Sequence, residues 1–198
     1  MELHLSGIDR RETLHYLQIR GGKLPTSLEE ELSRCEALLL ETARPRAVWR
    51  LFDREPDGTL AGTDFRPAGR DIAGFLEGCG QVILMAATLG TEAESLLRRA
   101  QARDMAEAVI LDAAGSAAIE QVCDALCAEL AVRFRPRFLT GRFSPGYGDL
   151  PLEQQRTLCR VLDLERRIGV SLAESGLMIP QKSVTALIGV SDTPRRRF

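Results

Sequence analysis

The chain reads as a single α+β domain. Three observations predict this: helical apolar spacing at 27–43 and 91–135, a turn-flanked strand signal at 47–65, and the unbroken apolar run QVILMAATLG at 81–90. A chain of 198 residues is long enough to bury roughly two thirds of its unfolded surface in one core. One domain over 1–198 is therefore the simplest organisation, with an N-terminal helical part at 1–45 and a sheet and helix core at 46–198.

The elements follow in order. DRRETLHYLQI predicts a short helix from Asp9 to about Ile19, and Gly21-Gly22 breaks it. A second helix begins near Ser27, where Glu30 three residues on makes a capping-box signal. Leu28, Leu32, Cys35, Leu38 and Leu39 give that helix one apolar face, predicted to pack on a sheet. AVWRLFDRE, the PDG turn at 56–58 and the segment Thr59 to Phe65 predict a β-hairpin. A short helix at Asp71 to Glu77 stops at a glycine, and 82–88 has the length and composition of a buried central strand.

From Thr91 the pattern is helical with a break near Arg103-Asp104, followed by a long helix from Met105 through Phe134. At 100° per residue Ile119, Val122, Cys123, Leu126, Leu130 and Phe134 form one stripe, with Glu120 on its edge beside Cys127 and Ala113. The small side chains of DAAGSAAIE allow a backbone or a ligand to come close to this helix. PLEQQRTLCRVLDLERRIG predicts one more helix, introduced by Pro151 and closed by Gly169. In the tail, Val184, Ala186 and Ile188 alternate with Ser183, Thr185 and Leu187 as in a strand, and TPRRRF reads as a solvated end.

Composition excludes several functional classes. A net charge of −2 with 27% charged residues implies no polyanion partner, so no nucleic acid is expected. No charged segment followed by an apolar one marks the start, and no apolar run approaches eighteen residues. The expectation is no membrane association and a cytoplasmic protein. The five cysteines, Cys35, Cys79, Cys123, Cys127 and Cys159, are odd in number and sit in apolar patterns, which suits free buried thiols. Cys123 and Cys127 stand one helical turn apart without a histidine at metal-ligand spacing, so no metal site is expected. Walker, dinucleotide, zinc-protease and serine-elbow signatures are absent from the sequence.

One loop, GRFSPGYGDLP at 141–151, carries the remaining chemistry. Its glycines expose backbone N–H and C=O groups, Arg142 offers a planar fork for a carboxylate or phosphate, and Tyr147 offers a face for an aromatic ring or a cation. By residue type alone it is either a ligand cradle or a tight connection whose arginine pairs with a nearby acid.

RFSPGYGDLP, the helix after it and GVSLAESGLMIPQKSVTALIG together resemble the C-terminal reactivation (activation) domain of cobalamin-dependent, or vitamin B12-dependent, methionine synthase. The matching residues are Arg142, Pro145, Gly146, Tyr147, Leu172, Glu174, Ser175, Met178, Pro180, Ser183 and Val184, in order and at consistent spacing. The resemblance is clear over 138–190 and faint before residue 80. It implies a bent antiparallel sheet flanked by helices and a component of a methyltransferase system in methionine biosynthesis. The implied cofactor is S-adenosylmethionine, bound for reductive methylation of cob(II)alamin. The implied partners are a corrinoid-binding methionine synthase subunit, which supplies the cobalamin, and a flavodoxin-like or other electron donor.

Carried over, Arg142 matches the arginine that holds the S-adenosylmethionine carboxylate, Pro145, Gly146 and Tyr147 match the loop beside it, and Glu120 matches a glutamate that contacts the cofactor. A half-buried Glu120 pairing with the ligand's ammonium agrees with this. The family's acid in the N-terminal helix has Gln18 or a neighbour in its place here, unless Asp9 or Glu12 supplies it. The family's tyrosine-bearing segment past the last strand is replaced by SDTPRRRF. The alternative reading is a non-enzymatic docking or gating module for a corrinoid protein that has lost its own S-adenosylmethionine site.

Overall fold

A computed structural model describes residues 1, 3–21 and 24–194. Gly22 of the expected glycine break and the RRRF part of the tail lie outside the described residues. Two helices come first, α1 (Arg10–Tyr16) and α2 (Thr26–Thr42), then strand β1 (Arg46–Asp53), helix α3 (Arg70–Phe75) and strand β2 (Gln81–Thr88). Helices α4 (Thr91–Arg103) and α5 (Met105–Arg133) follow, then β3 (Phe138–Leu139), α6 (Gln154–Leu162) and α7 (Leu164–Ile168). The chain continues through the small hairpin β4 (Ser171–Leu172) and β5 (Met178–Ile179) into β6 (Ser183–Ser191).

The main sheet is antiparallel in the order β1-β2-β6-β3. β2 lies between β1 and β6, and every residue of it after Gln81 is buried. Its unbroken apolar run is thus a consequence of two covered faces. Ile83, Met85, Ala186 and Ile188 face a core shared with α2, α4 and α5, while Val82, Leu84 and Leu187 face a second core built from Leu60, Phe65, Ile72, Leu158 and Leu162. Each fully buried Leu or Ile here contributes roughly 1.5–3 kcal/mol.

α5 spans 29 residues, about 43 Å at the helical rise. Its buried positions include Ala113, Ala114, Ala117 and Ala118 besides the expected stripe, because α1, α2 and α4 all pack on it. The close approach foreseen at DAAGSAAIE is made by α1 and by the stem of Lys182. A Cβ added at Gly115 would meet Lys182 Cε at 3.1 Å. The break before α5 is set by Asp104, whose side chain accepts from Ala106 N and Glu107 N.

Four expectations are corrected. The hairpin after β1 does not form: Arg54 and Leu60 make only an isolated bridge, and β1 pairs along its length with β2. The PDG turn is present, with Gly58 at φ 90. Beyond it the chain doubles back, Leu60 N donating to Phe65 O at 2.9 Å, so that both side chains enter the second core.

The capping box at Ser27 is not made either, since Pro25 takes the N-cap position and no side chain caps α2. α2 packs chiefly on α5 and α4, within the helical layer, where a direct seat on the sheet was expected. Finally, the single helix expected after Pro151 is two, divided at Asp163 in the left-handed conformation with φ 54. A straight helix would aim Leu164 about 120° away from Leu158. The break returns Leu164 to the core beside Leu158 and Leu162. Cys35, Cys123, Cys127 and Cys159 are free thiols, and no helix among the described residues is long and apolar enough to cross a membrane.

Candidate functional site

The site forms where α5, the 141–151 loop, α3 and the start of β6 converge on a cavity of about 930 Å³. This lies within the range of small-molecule sites. Each wall has a local cause. Phe143 exchanges backbone hydrogen bonds with Leu187 (2.9 and 2.8 Å), which fixes the loop's entry to β6. The loop closes on itself through Gly146 N to Leu150 O at 2.9 Å and Tyr147 N to Ser144 O at 3.1 Å. Asp149 then reaches across to α3, a helix with no cap of its own, and accepts from Arg70 N at 2.5 Å and Asp71 N at 3.0 Å. Gly148, at φ 50, lies so close to Asp71 that an added Cβ would collide with its carboxylate.

The β6 side is held by the PQKSV segment. Glu94, buried on α4, accepts from Gln181 N at 2.9 Å, and Lys182 Nζ lies 2.8 Å from both Asp112 Oδ1 and Ser116 Oγ of α5. Ser183 donates to the Pro180 carbonyl at 2.7 Å and sits 2.8 Å from Thr88 Oγ1. These anchors leave Ser183, Val184 and Thr185 facing the cavity. The family-like motif therefore positions a wall.

Glu120 and Arg142 meet at that wall. Arg142 Nη2 donates to Glu120 Oε2 at 2.6 Å, and Nη1 donates to Asp124 Oδ1 at 2.6 Å. The guanidinium side chain is 22% exposed, Glu120 44% and Asp124 74%. Burial works against the charge of Arg142, but the hydrogen bond to Asp124 and the neighbouring Cys123 and Cys127 sulfurs outweigh it and hold its pKa above the usual arginine value. The thiols respond oppositely: burial pushes Cys123 up to about 12 and raises Cys127, with Arg142 pulling both back.

Of the residues singled out by sequence, Glu120, Arg142, Pro145 and Tyr147 line one cavity, while Gly146 shapes the turn without lining it. Tyr147 presents a ring that is 68% exposed. On the N-terminal side, Asp9 is engaged as the N-cap of α1, accepting from Arg11 N and Glu12 N. Gln18 stands beyond the helix end at φ 59, exposed and lining no cavity described here. Tyr16 of α1 does not line this cavity, and its pKa is raised by burial and then by the charges of Glu120 and Glu12 and by Tyr147.

Sequence reasoning missed Asp124, Asp149 and Phe75. Asp124 was within reach, since it lies four residues after Glu120 and thus on the same helical face. Phe75, tilted against Phe143 at 5.1 Å between ring centres, had no sequence signal because only the fold brings α3 to the loop.

Residues 97–196 match the family described as vitamin B12 dependent methionine synthase, activation domain. The chain belongs to this family. The matched span contains α5, the loop, the PQKSV segment and hence most of the cavity wall. No curated protein matches the chain. Among solved structures, the MetH reactivation domain bound to AdoHcy superimposes with a TM-score of 0.67 at 17% identity, over 99% of this chain and 79% of that one. That likeness extends the activation-domain fold over the N-terminal half, which the family match leaves out, and the family supports a reactivation-like role for the chain.

Proposed function

We propose that this protein binds S-adenosylmethionine in the cavity between α5 and the 141–151 loop, for reductive methylation of cob(II)alamin held by a corrinoid-binding methionine synthase subunit. The observation that carries this reading is the Glu120–Arg142 pair at 2.6 Å, placed on the wall of a ligand-sized cavity in an activation-domain chain. An α-amino acid is a zwitterion, and an ion pair side by side is its complement: Arg142 for the carboxylate, Glu120 for the ammonium. Pro145 and Tyr147 would stand beside the ligand, with Gly146 holding the turn between them, and the exposed Tyr147 ring would offer a face for the sulfonium.

The partner would hold the corrinoid, a flavodoxin-like or other donor would supply its electron, and S-adenosylmethionine held by Arg142 and Glu120 of this chain would supply the methyl group, with S-adenosylhomocysteine as the product. For that step the chain supplies orientation, since in-line methyl transfer moves no proton. Arg142 suits this task because its charge is held across the physiological range. Isothermal titration calorimetry tests the reading: S-adenosylmethionine is expected to bind the wild-type chain, alone or with the corrinoid partner. Absence of binding in both settings would reject it.

One observation favours the alternative of a docking or gating module: the Arg142 guanidinium already carries two carboxylates. Under that reading the corrinoid protein is bound while S-adenosylmethionine is not.

A further inference from the structure

The geometry points to Asp124 as a placeholder for the ligand's carboxylate, held on Arg142 until the ligand displaces it. This rests on the ligand assignment above and goes beyond it. Arg142 reaches two acids of α5 that stand four residues apart, Glu120 through Nη2 and Asp124 through Nη1, each at 2.6 Å. If Glu120 serves the ammonium, the neighbouring Nη1 position is the one left for a carboxylate, and Asp124 occupies it.

The two acids are not equivalent. Glu120 lines the cavity, while Asp124 does not and is 74% exposed on the outer side of the pair. An exposed carboxylate released from an ion pair is resolvated by water, so Asp124 leaves at small cost. Arg142 is 22% exposed and also contacts Cys127 Sγ at 3.7 Å, so it stays in position. Local charge agrees: one guanidinium faces two carboxylates, and a third carboxylate joins favourably only when one of the two departs. Asp124 therefore keeps a half-buried arginine paired in the free protein and lowers its affinity for a carboxylate-bearing ligand.

The test is Asp124→Asn, titrated with S-adenosylhomocysteine and with its decarboxylated analogue, which keeps the nucleoside, thioether and ammonium. S-adenosylhomocysteine is chosen because its only charges are the carboxylate and the ammonium. The expected result is binding about threefold to tenfold tighter than wild type, a typical charge-assisted hydrogen-bond difference, with no tightening for the decarboxylated analogue. Weaker or unchanged S-adenosylhomocysteine binding, or equal tightening of both ligands, overturns the placeholder while leaving the ligand assignment standing. If the wild-type chain binds neither ligand, alone or with the corrinoid partner, the ligand assignment fails and the placeholder fails with it. Because Asp124 is exposed, the variant is expected to keep the wild-type thermal melting curve.

Discussion

Two cationic side chains reach α5 from later in the chain, and both are held by carboxylates on that helix. Lys182 meets Asp112 and Ser116, and its stem lies over Gly115 with the side chain only 13% exposed. Arg142, two helical turns along, meets Glu120 and Asp124 on the wall of the cavity. The Lys182 cluster balances one charge with one carboxylate and a hydroxyl, and its apolar stem is packed. The Arg142 cluster has one acid in excess, a planar fork and open space beside it. The same architectural device thus closes the fold at one site and leaves a charged cavity wall at the other, and the difference lies in charge balance and packing.

The largest expected effect that separates them comes from Arg142→Ala. It should weaken S-adenosylmethionine binding on the order of a hundredfold by calorimetry, since a charge-assisted fork is lost. Unfolding should change by only a few tenths of a kcal/mol, from the Glu120 and Asp124 charges left facing each other.

Lys182→Ala should do the reverse in kind. It removes a packed stem and an ion pair, destabilising by about 1–2 kcal/mol in urea titrations, with ligand affinity changed less than by Arg142→Ala. If Lys182→Ala also abolished binding at unchanged stability, the two clusters would have to be read as one site.

A smaller effect is expected from Asp149→Ala, which leaves Arg70 N and Asp71 N uncapped. It should destabilise by about 1 kcal/mol and, by loosening the loop against α3, weaken ligand binding severalfold.

The smallest concerns pH. Cysteine ordinarily ionises near 9.0, whereas burial moves Cys123 to about 12 and Cys35 and Cys159 to about 11. The unfolded chain therefore releases these protons first, and the thiols' contribution to stability, complete below pH 9, is lost as pH rises toward about 12. Denaturant midpoints measured at rising pH check the sign, and slow alkylation of Cys35 and Cys123 in the native state at pH 8 checks their burial.

Much of the fold was legible because it rests on local periodicity. The α4–α5 break at Asp104, the buried β2 run and the alternation of β6 each follow from side-chain spacing and one cap or turn residue. What failed was non-local. The PDG turn is real, yet the partner of β1 is β2, because pairing along eight residues on a doubly covered strand outweighs a short local hairpin. Likewise Asp163 breaks a segment of helical composition because Leu158, Leu162 and Leu164 must share one core.

The sequence by itself determined the α+β class, the long helix carrying Glu120 at the edge of its apolar stripe, and a glycine-rich loop bearing Arg142. Those depend on the order of neighbouring residues, which the chain states directly. Only the tertiary structure decided that Arg142 lands between Glu120 and Asp124, that Asp149 caps α3 and that Lys182 fills the space over Gly115. These contacts join residues between 18 and 79 positions apart, and their partners are selected by how the layers pack, a property that no short window of sequence contains.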